Sequence, residues 1–250
     1  MARYSPNMNV MMKAVEKASR HLLRDFGEVE NLQISMKGPG DFVSAADKRS
    51  EEVLHEELSK ARPDYGFLME ESGEIKGKDS SKRFIIDPLD GTSNFINAIP
   101  HWCITVALEE DNEITAALTY DPIRDEMFWA ERGIGAFMKH QRLRVSGKKK
   151  DFFLALSSWD SNMFSRFDKV GDYRMFGATA LDLAYIAAGR YDGTYSGCYS
   201  PWDVAAGKLL IQEAGGFITQ PDKNLEINGS KELIAGNQPC YDALMKAYKV

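Results

Sequence analysis

The sequence predicts an α+β fold in stacked layers of helices and sheets. Three observations carry this. Segments with the apolar spacing of amphipathic helices alternate along the chain with short runs of strand-forming residues. In the first half those runs follow one another as hairpins, so a sheet forms there without a helix after every strand. The length, 250 residues with 44% apolar and 27% charged, suits one large domain that buries its core without disulfides. Residues 1–250 are read as that domain, with a subdomain seam near 139–152.

Residues 7–26 read as the first helix. Met8, Met11, Met12, Val15, Ser19, Leu22, Leu23 and Phe26 follow the 3, 4, 7 spacing and make a core face. A strand at 32–36 precedes a Gly38-Pro39-Gly40 loop. A second helix starts near Ser44 and runs to Ala61, with Val53, Leu54 and Leu58 inward, until Arg62-Pro63-Asp64 stops it. Tyr65 to Met69 is a short strand and 73–82 a polar loop. Arg83 to Ile86 is a strand stopped by Pro88, which cannot donate to a ladder. Cys103–Leu108 and Ile114–Tyr120 pair as a hairpin around Glu109–Glu113, and Met127–Ala130 and Ile134–Met138 continue that sheet. The basic run Lys139 to Lys150 reads as a solvated hairpin and linker rather than a phosphate-binding patch. Beyond it, Phe153–Ser157 is a buried strand and Ala178–Ala188 a helix capped by Gly189. Tyr191–Tyr195 is a strand, and Trp202–Ala214 a helix between Ser200-Pro201 and Gly215-Gly216. Phe217–Thr219 and Leu233–Ala235 are short strands, and 239–248 is a closing helix.

Lys and Arg number 31 and Asp and Glu 37, a net charge of −6. A nucleic-acid binder should carry a basic face, so that class is disfavoured. The acidity also opposes an anionic ligand unless a cation intervenes. Cys103, Cys198 and Cys240 are odd in number, far apart and without histidine at zinc spacing. Neither a disulfide framework nor a structural zinc site is expected, and a reducing cytoplasm fits. Lys13, Glu16, Lys17 and Arg20 interrupt the N-terminal apolar positions, unlike a signal peptide. The charge-free stretch Gly91 to Leu108 holds Ser, Asn, Pro and His, unlike a membrane span.

The densest chemical signal is Asp87-Pro88-Leu89-Asp90-Gly91-Thr92-Ser93-Asn94-Phe95. A buried strand ends there in two carboxylates, Asp90-Gly91 bends the chain, and Thr92-Ser93-Asn94 can start a helix. Carboxylates with the Leu89 carbonyl suit Mg²⁺, a hard cation with oxygen ligands. Free N–H groups at a helix start suit a phosphate. An Asp-Gly turn with an Asp cap is the plainer account of Asp90-Gly91 alone, and the strand-to-helix context weighs against it. Glu70-Glu71 follows the strand Gly66 to Met69. Adjacent residues on a strand face opposite ways, so at most one Glu faces a site unless the strand has ended. Ser200-Pro201-Trp202-Asp203 opens a helix rich in small residues as a near-ideal cap, yet it buries a carboxylate at a packed end, a cost that a metal relieves. Ser44-Ala45-Ala46-Asp47 is also a capping-box pattern, and taken alone capping is its better reading.

Together these segments resemble a known family. DPLDGTSNF at 87–95 and WDVAAGKLLIQEAGG at 202–216 resemble the two signature motifs of the inositol monophosphatase family. Glu70-Glu71-Ser72 and the Asp47 segment resemble its other acidic elements, in the same order along the whole chain. The resemblance implies a layered α-β-α-β-α sandwich, shared with fructose-bisphosphatases. It implies a Mg²⁺-dependent, lithium-sensitive phosphomonoesterase acting as a cytoplasmic homodimer, with no nucleic acid or membrane partner. It places Glu70, Asp87 and the Leu89 carbonyl on a first metal and Asp87, Asp90 and Asp203 on a second, with Glu70 helping a third. Glu71 would then support the site without touching metal. Asp47 and Thr92 would orient the attacking water, the N–H groups of Gly91 and Thr92 would hold phosphate, and Gly177, Ala178 and Thr179 would line the substrate pocket with Asp90 and Asp203.

One position departs from the family pattern. Many members carry a Glu seven residues before the Trp-Asp aspartate, where it meets an inositol hydroxyl, and Ser196 stands there in this chain. Sugar, glycerol, histidinol and nucleotide phosphates are therefore open beside inositol monophosphate. A bisphosphate nucleotidase or fructose-bisphosphatase activity is a near rival, and a regulatory interaction protein on the same fold is another. A haloacid dehalogenase-type phosphatase is excluded, because its nucleophilic Asp would fall at Pro88. His101 reads as loop packing, Gly133-Ile134-Gly135 as a hairpin kink, and Cys198 as unreactive for want of a basic partner.

Overall fold

The computed structural model describes residues 4–28, 34–38, 41–156, 166–221 and 232–249, the side chains of 34–44 excepted. Ser5 opens helix α1 (Pro6–Phe26). Its hydroxyl accepts the Met8 N–H at 3.1 Å, and Pro6 has no donor to satisfy. A hairpin of β1 (Ile34–Gly38) and β2 (Asp41–Ser44) leads to α2 (Ala45–Ala61). Then come β3 (Tyr65–Met69), β4 (Gly73–Ile75), the long β5 (Asp79–Asp90) and the short helix α3 (Thr92–Ile96). Five strands follow: β6 (Cys103–Glu110), β7 (Glu113–Asp121), β8 (Glu126–Glu131), β9 (Gly135–Met138) and β10 (Gln141–Arg142). The second half holds β11 (Phe152–Leu156), β12 (Gly171–Arg174), α4 (Thr179–Ala187), β13 (Gly193–Ser196), α5 (Pro201–Glu213), β14 (Phe217–Thr219), β15 (Leu233–Gly236) and α6 (Gln238–Tyr248).

The strands make an eight-stranded sheet in the order β10-β9-β8-β7-β6-β5-β3-β4 and a five-stranded sheet in the order β12-β11-β13-β15-β14. The first is antiparallel except for β3 beside β5. The second has β12, β11 and β13 parallel and an antiparallel remainder. Asp111 and Asn112 turn β6 into β7 with φ of 52° and 63°, the two-residue turn whose twist matches a hairpin.

Side-chain alternation along the strands builds the layers. On β5, Phe84 and Ile86 join Met8, Met11 and Val15 of α1 and Leu54 and Leu58 of α2. Ile85 between them faces the other way, into a cluster with Leu181 and Leu183 of α4 and Leu209 and Leu210 of α5. Ala155 and Ala235 reach that cluster from the second sheet. Leu154, Leu156 and Ile234 point to its far face, against Cys240 and Leu244 of α6. The order is thus helix, sheet, helix, sheet, helix. Close approach of α4 and α5 depends on Gly207, where a Cβ would stand 2.6 Å from that of Leu183.

Several sequence expectations are corrected. The chain does not stay in a loop over 73–82, since β4 and the start of β5 lie there. Pro88 does not stop β5. Asp87 pairs with Thr105 and Asp90 with Cys103, so one extra residue bulges out, and a proline without an N–H sits in that bulge without breaking a bond. The edge strands β2, β4, β10 and β12 add to the elements expected from the sequence. Leu23 is 40% exposed rather than inward. The Gly38–Gly40 loop and the Ser44 cap fall partly outside the described residues. The basic run 139–150 contains β10 and otherwise links the two sheets.

Candidate active site

Three elements deliver the carboxylates. The β5 bulge presents Asp87 and Asp90, both buried. The Leu89 N–H donates to Asp87 Oδ1 at 2.9 Å, which locks the bulge, and the Thr92 hydroxyl donates to the Leu89 carbonyl at 2.9 Å. Glu70 follows β3 in the turn to β4, where Met69 pairs with Gly73. Strand alternation has therefore ended, and the turn decides where Glu70 and Glu71 point. Asp203 stands in the first turn of α5, and its Oδ2 accepts the Ser200 N–H at 2.8 Å. The capping role expected of Asp203 is present, with its second oxygen left for other work.

These four carboxylates sense one another. Burial first, then the charges of Glu70, Asp90 and Asp203, push the Asp87 carboxyl well above the usual range. Burial and then Asp203 raise Asp90 to about 8. Burial raises Asp203 to about 6. An all-oxygen set that resists ionisation, through burial first and then the charges of its neighbours, is the donor chemistry a hard divalent cation satisfies. Among the described residues no three His, Cys, Asp or Glu side chains close around a single point, so the coupling is one of charge rather than of a preformed chelate.

Asp90 does a second job. Helix α4 begins at Ala178, which has no side-chain cap, and the Ala180 N–H donates instead to Asp90 Oδ2 at 2.8 Å. The Cys103 thiol approaches the same oxygen at 3.7 Å. This contact carries Gly177, Ala178 and Thr179 to the motif. Gly91, at φ 91°, sits in the left-handed region, and a Cβ there would lie 3.0 Å from the His101 carbonyl and 3.3 Å from the Ala178 Cβ. Glycine is required on both counts. Asn94 ties the surroundings together by donating to the carbonyls of His101 at 2.8 Å and Phe176 at 2.6 Å. His101 packs its ring against Phe176, as expected of a loop residue, and burial lowers its pKa to about 4.

Asp47 is buried on α2, beside two residues that the sequence motifs do not mark. Ser50, fully buried, donates to the Pro88 carbonyl at 2.9 Å. Glu51, also buried, accepts the Glu71 N–H at 2.8 Å and the Ser72 hydroxyl. The sequence does hold a signal for them. Asp47, Ser50 and Glu51 fall on the same helical stripe as Leu54 and Leu58, and polar residues on an apolar stripe are the informative exceptions.

Comparison with known proteins bears on the family of the chain. Residues 4–249 match the model of the inositol monophosphatase family. The chain is 47% identical to the inositol-1-monophosphatase of Mesorhizobium japonicum, over 100% of this chain and 98% of that one. It is 35% identical to Nus factor SuhB of Escherichia coli strain K12, over 96% of this chain and 94% of that one. The crystal structure of extragenic suppressor protein suhB from Bartonella henselae superposes with a TM-score of 0.94 at 47% identity, covering 98% of this chain and 99% of that one. With both long motifs placed at one site and the match running almost end to end, the chain belongs to the inositol monophosphatase family.

Proposed function

We propose that this chain hydrolyses a small phosphate monoester with water, releasing inorganic phosphate, and depends on Mg²⁺ held by Glu70, Asp87, Asp90, Asp203 and the Leu89 carbonyl, two or three ions per site. The observation that supports it most is the burial of Asp87 and Asp90 within reach of the charges of Glu70 and Asp203, which a divalent cation would turn into binding energy and into an anion-attracting pocket. Bound Mg²⁺ supplies Lewis acidity toward water and phosphate oxygens. The chain's own groups do the rest. Gly91 and Thr92 N–H groups at the start of α3 hold the phosphate, and Gly177, Ala178 and Thr179 shape the pocket. Asp47 and the Thr92 hydroxyl orient the attacking water. In the present arrangement that hydroxyl donates to the Leu89 carbonyl.

Ser196 is fully buried and its hydroxyl donates to the Cys198 carbonyl at 2.7 Å, so it offers a polyol no charge. Inositol monophosphate therefore has no built-in advantage over other polyol or sugar phosphates. The test is phosphate release from a panel of monoesters and bisphosphates, with Mg²⁺, without it, and with added Li⁺. Mg²⁺-dependent, Li⁺-inhibited release from at least one monoester is expected. No release from any of them would refute the reading, and a strong preference for bisphosphates would move it to the neighbouring activity.

Two partner proposals accompany it. Ile99 and Phe176 are 46% and 44% exposed and flank Asn94, with Met175 beside them. We assign this apolar patch to a homodimer contact. Phe176→Asp is expected to halve the mass measured by light scattering, and an unchanged mass would remove the patch from the interface. The name of the Escherichia coli relative, a Nus factor, favours a second, partner-binding role for the same fold. We keep the reducing cytoplasm as the proposed compartment, on the odd count and wide spacing of Cys103, Cys198 and Cys240 in the sequence, and no helix among the described residues is long and apolar enough to cross a membrane.

A further inference from the structure

We propose that Glu51 is a positioning residue that sets the place of Glu70 and thereby the cation affinity of the site, an inference that rests on reading the carboxylate cluster as a Mg²⁺ site. Glu51 is 3% exposed, and among the described residues no Lys or Arg pairs with it. A buried carboxylate without a cation is costly unless its hydrogen bonds repay the cost. Both of its oxygens are spent on one turn. Oε2 accepts the Glu71 N–H at 2.8 Å and Oε1 accepts the Ser72 hydroxyl.

That turn is the three-residue connection between β3 and the short β4, and Glu70 is its first residue. A turn closed by so short an edge strand has little pairing of its own to fix it. The charge of Glu70 reaches both Asp87 and Asp90, so its placement matters to the cluster. One helical position earlier, Ser50 grips the β5 bulge through the Pro88 carbonyl. A single face of α2 therefore holds both loops that carry the ligands. A rigid helix fixes their separation better than either loop alone.

The experiment compares Glu51→Ala with Glu51→Gln in the full chain. A Gln amide can accept from the Glu71 N–H and donate to Ser72, so it keeps the geometry and discards the charge. Mg²⁺ binding is measured by calorimetry without substrate, beside kcat at saturating Mg²⁺. Glu51→Ala is expected to weaken Mg²⁺ binding about tenfold or more with kcat at saturation within about threefold, and Glu51→Gln to recover most of the affinity. A merely structural role would lower the melting temperature and leave Mg²⁺ affinity alone. Folded Glu51→Ala that binds Mg²⁺ as wild type overturns the proposal. Wild type that binds no Mg²⁺ overturns the site reading and this proposal together. If Glu51→Ala does not fold, the more accessible Ser72→Ala decides. About threefold weaker binding supports the clamp, and unchanged binding overturns it.

Discussion

Asp90→Asn is expected to cut Mg²⁺-dependent phosphate release by at least about a thousandfold, roughly 4 kcal/mol of barrier, while raising the melting temperature of the metal-free protein. The two effects have one cause. Asp90 is buried against Asp203 and Glu70, and its carboxyl is held near 8. Asn removes the cost of burying a titratable carboxyl beside those charges and, on the proposed assignment, removes a cation ligand in the same stroke. Asn keeps a carbonyl oxygen for the Ala180 N–H, so the start of α4 remains capped. Asp87→Asn should behave likewise, since burial and the charges of Glu70, Asp90 and Asp203 push that carboxyl well above its ordinary range. Phosphate release, circular dichroism and melting in a chelator check both variants. Wild-type turnover in either folded variant would sink the metal assignment.

The second large effect is a pH dependence with a definite sign. Asp90 near 8 and Asp203 near 6 lie above their ordinary value of 3.8. Between about pH 4 and pH 8 the folded chain therefore binds more protons than the unfolded one. Their contribution is fully present below 3.8 and is lost as pH rises through the folded values. Every pH unit between a folded pKa and its ordinary value corresponds to about 1.4 kcal/mol. The metal-free protein should lose stability from pH 5 to pH 8. Mg²⁺ displaces those protons, so its stabilising effect should be larger at pH 8 than at pH 5, with proton release on binding. Melting curves in chelator and in Mg²⁺ at three pH values test this. The Asp90→Asn variant should show a flatter trend. A metal-free melting temperature that climbs toward pH 8 and exceeds that of Asp90→Asn there would contradict the scheme.

The motif residues are legible in the sequence because their local context is unusual. Asp87 to Phe95 couples a buried strand to a helix start, and Ser200 to Asp203 is a cap that the structure reproduces. The helices are legible from periodicity, apart from Leu23. What escapes is set by tertiary contact. Glu51 sits beside Glu52 with Glu56 and Glu57 nearby, a composition that looks like a solvated face until α2 is laid against the β3–β4 turn. Pro88 invites the rule that proline ends strands, and the bulge makes that rule void at one position. The strands β4 and β12 are short, polar and at edges, so they carry no alternation to detect. Asp90 as the cap of α4 joins positions 90 residues apart, and no local pattern reports such a bond.

That bond also bears on how the chain is made. The carboxylates of the proposed site are dispersed, and Asp203 emerges from the ribosome more than a hundred residues after Asp90. A nascent chain ending before α5 holds Glu70, Asp87 and Asp90 without their last partner, and α4 without a neighbour to pack on. On the proposed assignment, cation capture would wait for synthesis of α5, and a chain ending before it would carry the whole DPLDGT segment without the complete ligand set. On the same assignment, metal loading would require that synthesis and folding have both passed α5.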